Sequence, residues 1–537
     1  MDYGFNEQLI ANTLIVDKDV NGFIRENLGT NGGSGGIVPD IYGAKGDGVT
    51  DDTESLSRMF NCSNEVLEGN NKCYKITELV LTECENLVIR DFRFYHGICI
   101  TLKHCKNIIF ENCVWDEFQD NGIINKNVHC VVLTTMHTGG NAWTEEHNWY
   151  ANEICENIIF DNCQFIGTHF SESTPDKYEN SKPHYNTGMC LRLEGIDKLK
   201  VRNCYFTQNR GNACIQQNCS APLGDFEITN NFFYLNCWGG IELYRYTGLS
   251  AYPTRVIQGN RFIGHGLGYL PWEYLELFDE EQRGVGTAVL LGGNTNRIQN
   301  EYDHCVVYNN IFEDNNESSV EGWQWNPIKN NIIIGNGVLQ TAESVEELKA
   351  KYKITYPLYV RKNPSQNPIY MDLNRYEPQY PDGEVRSIEN NTIARIYGTR
   401  NPIMIRGHYY ERIIIRNNTM TDAALDTDPN AKYVHFLNTD LYGGLVWENN
   451  IGMRPYFNGC TFDGGKYWID DIMDVYNCTF NTQDFENLSK VNRFQYLNAA
   501  RFSDEYATLR DNDVSKVING KPVLTYRWHR ELHPCEV

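Results

Sequence analysis

A short phrase that returns through most of this chain limits its possible folds more than any other feature. Apolar residues lead into Asn-Cys or Asn-Asn, and an aromatic or aliphatic residue follows. One copy is Ile108-Ile109-Phe110-Glu111-Asn112-Cys113-Val114-Trp115, and another is Ile158-Ile159-Phe160-Asp161-Asn162-Cys163-Gln164-Phe165. Val201-Arg202-Asn203-Cys204-Tyr205-Phe206 and Ile228-Thr229-Asn230-Asn231-Phe232-Phe233 repeat it. Later copies turn at Asn309-Asn310, Asn390-Asn391, Asn417-Asn418, Asn449-Asn450 and Asn477-Cys478. The steps cluster near about twenty to thirty residues, or twice that, which is the signature of a solenoid. Short alternating apolar runs make it a β solenoid rather than a helical one. Asparagine suits each turn because it tolerates the left-handed conformation and its amide can bond the copy in the next coil. These asparagines therefore read as structural.

A solenoid also accounts for the length. The chain has 537 residues, more than one ordinary globular core holds, but a solenoid grows along one axis. Residues 1–36 read as a leader that ends in the glycine-rich joint Thr30-Asn31-Gly32-Gly33-Ser34-Gly35-Gly36. Residues 37–480 read as coils, with insertions near 137–153, 168–186, 266–284 and 340–384. Residues 481–537 read as a C-terminal cap, helical over Phe485–Arg510 and a hairpin over Val517–Trp528 around Asn519-Gly520.

The coils open on Asp40-Ile41-Tyr42-Gly43-Ala44-Lys45-Gly46-Asp47-Gly48-Val49-Thr50-Asp51-Asp52-Thr53-Glu54-Ser55-Leu56. This predicts a short strand, a glycine-punctuated loop and a helix that plugs the open end, with Asp51 or Asp52 as N-cap. Its aspartates then serve structure rather than chemistry. The stretch closely resembles the opening of the pectate-lyase-like β-helix superfamily, which includes polygalacturonases, some polysaccharide lyases and bacteriophage tailspike depolymerases. The resemblance implies an all-β fold: a right-handed single-stranded parallel β-helix with an N-terminal capping helix and a small C-terminal cap. It does not fix a reaction, because that fold hosts several. Gly264-His265-Gly266 and Arg297-Ile298-Gln299 match pieces of the polygalacturonase pattern. The acidic pieces that precede the histidine in that family are missing, and Asn438-Thr439-Asp440 lies far downstream, so the match reads as coincidence.

The net charge of −23 argues against nucleic acid and anionic membrane as partners. Aromatic residues make up 12% of the chain, which suits a carbohydrate surface. The N-terminal residues lack the basic and apolar regions of a secretory signal. Most of the 18 cysteines fall at one phase of the repeat, which predicts stacked buried thiols and folding in a reducing cytosol.

The strands that follow the asparagine turns align by apolar phase. With Ile241, Leu243 and Val320 inside, Glu242, Tyr244, Glu321 and Trp323 face out, as do Arg192 and Glu194. Glu242 and Glu321 then share one outward column two coils apart, roughly 9–10 Å. Inverting glycosidases hold their acid and base about 6.5–9.5 Å apart, which makes this pair the candidate catalytic residues. Arg192, Glu194, Tyr244, Arg245, Trp323 and Trp325 are the candidate substrate-binding residues, with the rings as flat faces for sugars. Pairing with Arg192 or Arg245 is the structural alternative for the two glutamates. Asp116, Glu117 and Asp120 form a second acidic group, open to sugar or to calcium but more simply a solvated turn. His137, His147, His169, His184 and His265 lack metal-ligand spacing, so no metal or cofactor is expected beyond that calcium.

The expectation is a polysaccharide-degrading enzyme, hydrolase before lyase, acting on a bacterial surface glycan. The alternatives are a non-catalytic glycan-binding spike and a secreted or periplasmic bacterial enzyme. The tailspike resemblance implies a homotrimer folded in the host cytosol and carried on the virion tail. Residues 1–36 would then meet the phage tail proteins.

Overall fold

The computed structural model describes residues 36–95, 99–116, 129–134, 154–167, 189–209, 213–217, 223–243, 255–268, 287–292, 305–322, 327–338, 341–358, 367–373, 386–394, 401–409, 412–421, 433–463 and 465–469, with residue 360 and short pieces of strand beyond 472. Each coil gives one strand to each of three parallel sheets. One coil supplies Cys155–Asp161 to sheet A, Gln164–Ile166 to sheet B and Met189–Glu194 to sheet C. Sheet A has 13 strands and sheet B has 12. Register is kept from coil to coil, so like residues stack. Ile158 lies beside Ile108 on one side and Leu199 on the other.

The interior follows from the alternation in the sequence. Leu87, Ile108, Ile158, Leu199 and Phe226 form one buried column of the core. In sheet B, Phe165, Phe206, Phe233, Phe262 and Phe312 stack face to face with centroids 4.6 to 4.9 Å apart. That is the strand spacing itself, so each ring added to the ladder meets the last at contact distance.

The Asn-Asn and Asn-Cys pairs divide their labour. The first residue turns the chain from sheet A to sheet B in the left-handed region, with φ of 54° to 57° at Asn112, Asn162, Asn203, Asn230, Asn309, Asn330, Asn390 and Asn417. Gly259 replaces it in one copy; a Cβ there would stand 2.4 Å from Asn230 Oδ1. The second residue points inward. In the early coils it is Cys113, Cys163 and Cys204, and then Asn231, Asn260, Asn310, Asn331, Asn391, Asn418 and Asn450. Each inward amide bonds the next: Asn260 Nδ2 donates to Asn310 Oδ1 at 3.0 Å, and Asn310 Nδ2 donates to Asn331 Oδ1 at 3.1 Å and to the carbonyl of Ile257 at 2.8 Å. The thiol and amide columns join where Cys204 N donates to Asn231 Oδ1 at 2.9 Å. Among the described residues the cysteines are free thiols, most of them buried.

At the first coil, the helix Thr53–Phe60 buries Leu56, Met59 and Phe60 in the main core. Its aspartates hold backbone, as expected, but by a different route. Asp52 occupies the N-cap position without a capping bond. Its carboxylate instead accepts from Lys45 N at 2.7 Å and Gly46 N at 3.0 Å. Asp51 Oδ1 accepts from Thr53 N at 2.9 Å, and Asp47 gathers the amides of Val49 and Thr50.

Two expectations need correction. Asp116 is not in a solvated turn: it is 2% exposed and paired with Arg93. Glu117 and Asp120 lie outside the described residues, as do the first 35 residues of the leader. The stretch Phe485–Arg510 is not helical throughout. Phe494–Asn498 and Arg501–Phe502 are strands that extend sheet C in parallel, because pairing with the preceding coil outweighs local helix propensity there. Val517–Ile518 pairs antiparallel with Lys521–Pro522 around Asn519-Gly520.

Candidate active site on the third sheet

Sheet C carries Arg192, Glu194, Glu242 and Glu321. Ile241 and Leu243 are fully buried, so Glu242 between them projects outward; Val320 is buried, so Glu321 projects outward as well. Register places Arg192, Gln216, Glu242, Leu290, Glu321, Tyr370, Met404, His435 and Tyr456 in one column, one per coil. Glu242 and Glu321 are thus two rungs apart, about 9–10 Å along the axis. Half-buried Leu290 stands between them.

Outward direction did not bring exposure. Glu242 is 8% exposed and Glu321 9%, where alternation alone implied an open face. The partners explain how the charge is tolerated. Gln216 Nε2 donates to Glu242 Oε2 at 2.6 Å, and Thr287 Oγ1 donates to Glu321 Oε2 at 3.3 Å. Burial raises the proton affinity of Glu242 to a pKa of about 7, against the Gln216 bond that lowers it; the Glu321 charge adds to the rise. An acid that keeps its proton near neutrality is what general-acid catalysis needs.

Arg192 and Glu194 do face outward, but toward each other: Arg192 Nε donates to Glu194 Oε1 at 2.6 Å. Arg192 shares the column with Glu242, with Gln216 between them. Among the described contacts, Glu242 meets Gln216 and Arg192 meets Glu194. Tyr244, Arg245, Trp323 and Trp325 lie outside the described residues, as do His137, His147, His169, His184 and Arg297-Ile298-Gln299.

His265 is core, not chemistry. It is fully buried against Phe233 and Phe262, its Nδ1 meets the carbonyl of Trp238 at 2.9 Å, and burial lowers its pKa to about 4. No group of side chains suited to a metal occurs among the described residues.

Sequence reasoning passed over several neighbours. Gln216 and Leu290 lie in strands Ala213–Gln217 and Val289–Leu291, and Thr287 just precedes the second; none of the three carries the charge that marks Glu242 and Glu321 in the sequence. Tyr370, beside Glu321, lies in Ile369–Leu373, whose apolar alternation would have found it. Beyond it, His435 and Tyr456 contact with ring centroids 4.8 Å apart, and Tyr456 meets Tyr433 at 5.5 Å. An insertion was expected near 340–384, but not its helix, Ala342–Tyr352. Thr341 and Ser344 close a reciprocal capping box at its start. The helix packs Val345 and Leu348 against Leu235, Leu267 and Val338, which precede the strands of Glu242, Leu290 and Tyr370.

No protein-family model matches the chain, and no curated protein matches it in sequence. Solved structures with a similar chain course include the A-module of the mannuronan C-5 epimerase AlgE4 from Azotobacter vinelandii, at 13% identity and TM-score 0.41 over 78% of this chain and 96% of that one. The catalytic unit of a GH87 α-1,3-glucanase from Streptomyces thermodiastaticus is similar at 11% identity and TM-score 0.36, over 88% and 69%. The Dettilon tailspike protein is similar at 12% identity and TM-score 0.23, over 86% and 68%. By its own three stacks of parallel strands, the chain is a parallel β-helix.

Proposed function

We propose that the protein hydrolyses a polysaccharide with Glu242 as general acid and Glu321 as general base. One observation carries the reading: two buried carboxylates two rungs apart in one column, one of them with its pKa raised to about 7. Protonated Glu242 gives its proton to the glycosidic oxygen as the bond to the anomeric carbon breaks. Glu321 takes a proton from the water that adds to the opposite face of that carbon. The separation leaves room for the water and implies inversion. Gln216 and Thr287 hold the two carboxylates in place. Tyr370, Tyr456 and Tyr433, with Trp323 and Trp325 on the neighbouring segment, supply ring faces for sugars, and Arg192 and Glu194 supply polar contacts.

The setting we propose is a tailspike-like homotrimer on a phage tail, acting on a bacterial surface glycan and attached through residues 1–36. Free thiols along the core support folding in a reducing cytosol. A clean monomer in a solution mass measurement contradicts the trimer.

The test is oligosaccharide release from bacterial surface glycans by the intact chain and by Glu242→Gln and Glu321→Gln. Each substitution is expected to abolish release while leaving glycan binding. Full activity in either variant overturns the assignment. Binding without release by the unaltered protein points to a non-catalytic spike. Ultraviolet absorbance from unsaturated product ends points to a lyase.

A further inference from the structure

The buried cysteines stack in columns, and one of these columns has an open end. Cys84, Cys105 and Cys155 hold the same position in successive coils, each just before the paired residues Glu85, Lys106 and Glu156. The register of Glu65 with Leu87, carried back three residues, sets Cys62 level with Cys84. Two bonds hold that register through the turn: Asn64 N donates to Glu85 O at 2.9 Å, and Asn86 Nδ2 donates to Asn64 Oδ1 at 2.8 Å. Cys62, Cys84, Cys105 and Cys155 therefore form one ladder. The inner three each donate a thiol to a carbonyl of the coil before: Cys84 to Phe60 O at 3.8 Å, Cys105 to Leu81 O at 3.5 Å and Cys155 to Leu102 O at 3.3 Å. Cys62 instead donates within its own turn, to Met59 O at 3.2 Å. It is half-buried, whereas the other three are buried.

Among the described residues, no other thiol combines exposure with a thiol neighbour. Cys113, Cys163 and Cys204 are all buried, and their column runs from Phe92 to Asn231. Cys190 and Cys214 are buried together, as are Cys460 and Cys478. Cys73 is half-buried, but its neighbours in register are Asp47 and Arg93.

The Cys84 sulfur is set to react with Cys62. The Cys105 thiol and the Cys62 backbone N–H both donate to it. It therefore lies against residue 62, and of the Cys84–Cys105 pair it gives up its proton the more readily. Neighbouring rungs are about 4.8 Å apart, within the Cα separation of about 4.4–6.8 Å that a disulfide spans. The turn at Cys62 directly follows the helix Thr53–Phe60, which buries Leu56, Met59 and Phe60 in the core. A bond from Cys62 to Cys84 would tie this end cap to the next coil.

We propose that Cys62 and Cys84 are a redox pair whose disulfide latches the end cap to the coil behind it. The oxidant is a low-molecular-weight disulfide, R–S–S–R. The Cys62 thiolate attacks one of its sulfurs, the R–S–S–R bond breaks, and R–S⁻ leaves with the proton that Cys62 gave up. Cys62 then carries S–R in a mixed disulfide. Cys84 attacks Cys62 Sγ, the mixed disulfide breaks, and the second R–S⁻ leaves with the Cys84 proton. Two protein thiols are oxidised to one disulfide, and R–S–S–R is reduced to two R–SH. The latch is open in a reducing compartment and closed in an oxidising one. It does not depend on what sheet C binds.

The test treats the folded full chain with glutathione disulfide at about pH 9. Burial raises Cys62 to about 11, and the rate follows the thiolate fraction, so an alkaline buffer is needed. Free thiols are then blocked, and a digest made without reductant is read by tandem mass spectrometry. The expected product is a linked peptide pair, Cys62 with Cys84, with the other buried thiols still free. Cys84→Ala should stop at glutathione attached to Cys62, and Cys62→Ser should form no link; the half-exposed serine keeps the test sound if the alanine variant packs poorly. Hydrogen exchange of the Thr53–Phe60 amides should slow by about tenfold or more once the link forms. No reaction at Cys62, a lasting glutathione adduct there in the unaltered chain, or a link from Cys62 to another cysteine overturns the pair. A Cys62–Cys84 link that leaves exchange in Thr53–Phe60 unchanged overturns the latch.

Discussion

Glu242 should make the stability of the protein depend on pH in a way that one substitution removes. The carboxyl has an ordinary pKa of 4.5 and is raised to about 7 in the fold, chiefly by burial. The sign follows from proton counting. Below pH 4.5 both folded and unfolded chains hold this proton, and there is no penalty. Between 4.5 and 7 the unfolded chain has released it while the folded chain retains it, so stability falls as pH rises. Above 7 the folded chain must hold a buried anion. The rise from 4.5 to about 7 amounts to about 3 kcal/mol lost over that pH range. Glu242→Gln removes the titration and keeps an amide oxygen for Gln216 to donate to. Buried His265 and half-buried His435 oppose the trend: both are lowered from 6.5 to about 4 by burial, so each adds stability as pH rises from 4 to 6.5. The quantity to read is therefore the difference between variant and unaltered chain, in which the histidines cancel. Equilibrium urea unfolding at pH 4.5 and pH 8 measures it. The variant should gain about 3 kcal/mol on the unaltered chain between those two pH values. A difference that does not change with pH refutes the burial argument for Glu242, and with it the general-acid role.

Three further outcomes follow from the same physics. Glu321→Gln removes a charge that raises the Glu242 pKa; the pKa of Glu242, followed by carboxyl NMR titration, should fall toward the ordinary value. Asn310→Ala leaves Ile257 O, Asn260 N and Asn260 Nδ2 without the bonds they make to its side chain. At about 1–3 kcal/mol for each buried group, the loss should reach about 3 kcal/mol or more in urea unfolding. Thiol reagent at pH 7 should react slowly with the folded chain and fully only after unfolding. Most of the described thiols are buried, and burial raises even the half-exposed Cys62 to about 11.

The fold was legible because its determinants are local and repeated. Turn asparagines with left-handed backbone, such as Asn162 and Asn203, and inward residues such as Ile158 and Phe160 each report on one coil, and the coils agree with one another. Register between Glu242 and Glu321 was legible for the same reason: apolar phase fixes which residues face in, and every parallel coil adds one rung. The surroundings of the pair were not. Burial of Glu242 and Glu321 depends on what covers the outer face, and alternation carries no information about that. The Arg192–Glu194 contact and the Gln216 bond are choices of side-chain direction among neighbours, which a column alignment leaves open. The strand at Phe494–Asn498 reads as helix from sequence because pairing with the preceding coil, and not a local pattern, makes it a strand.

The central claim is that Glu242 and Glu321 act across a gap wide enough for water. Proton NMR of freshly released sugar, recorded during cleavage of a surface glycan before the anomers equilibrate, tests this most directly. The expected product is a new reducing end of inverted configuration, absent in Glu242→Gln and Glu321→Gln. A product of retained configuration, or one with an unsaturated ring at its new end, would contradict it.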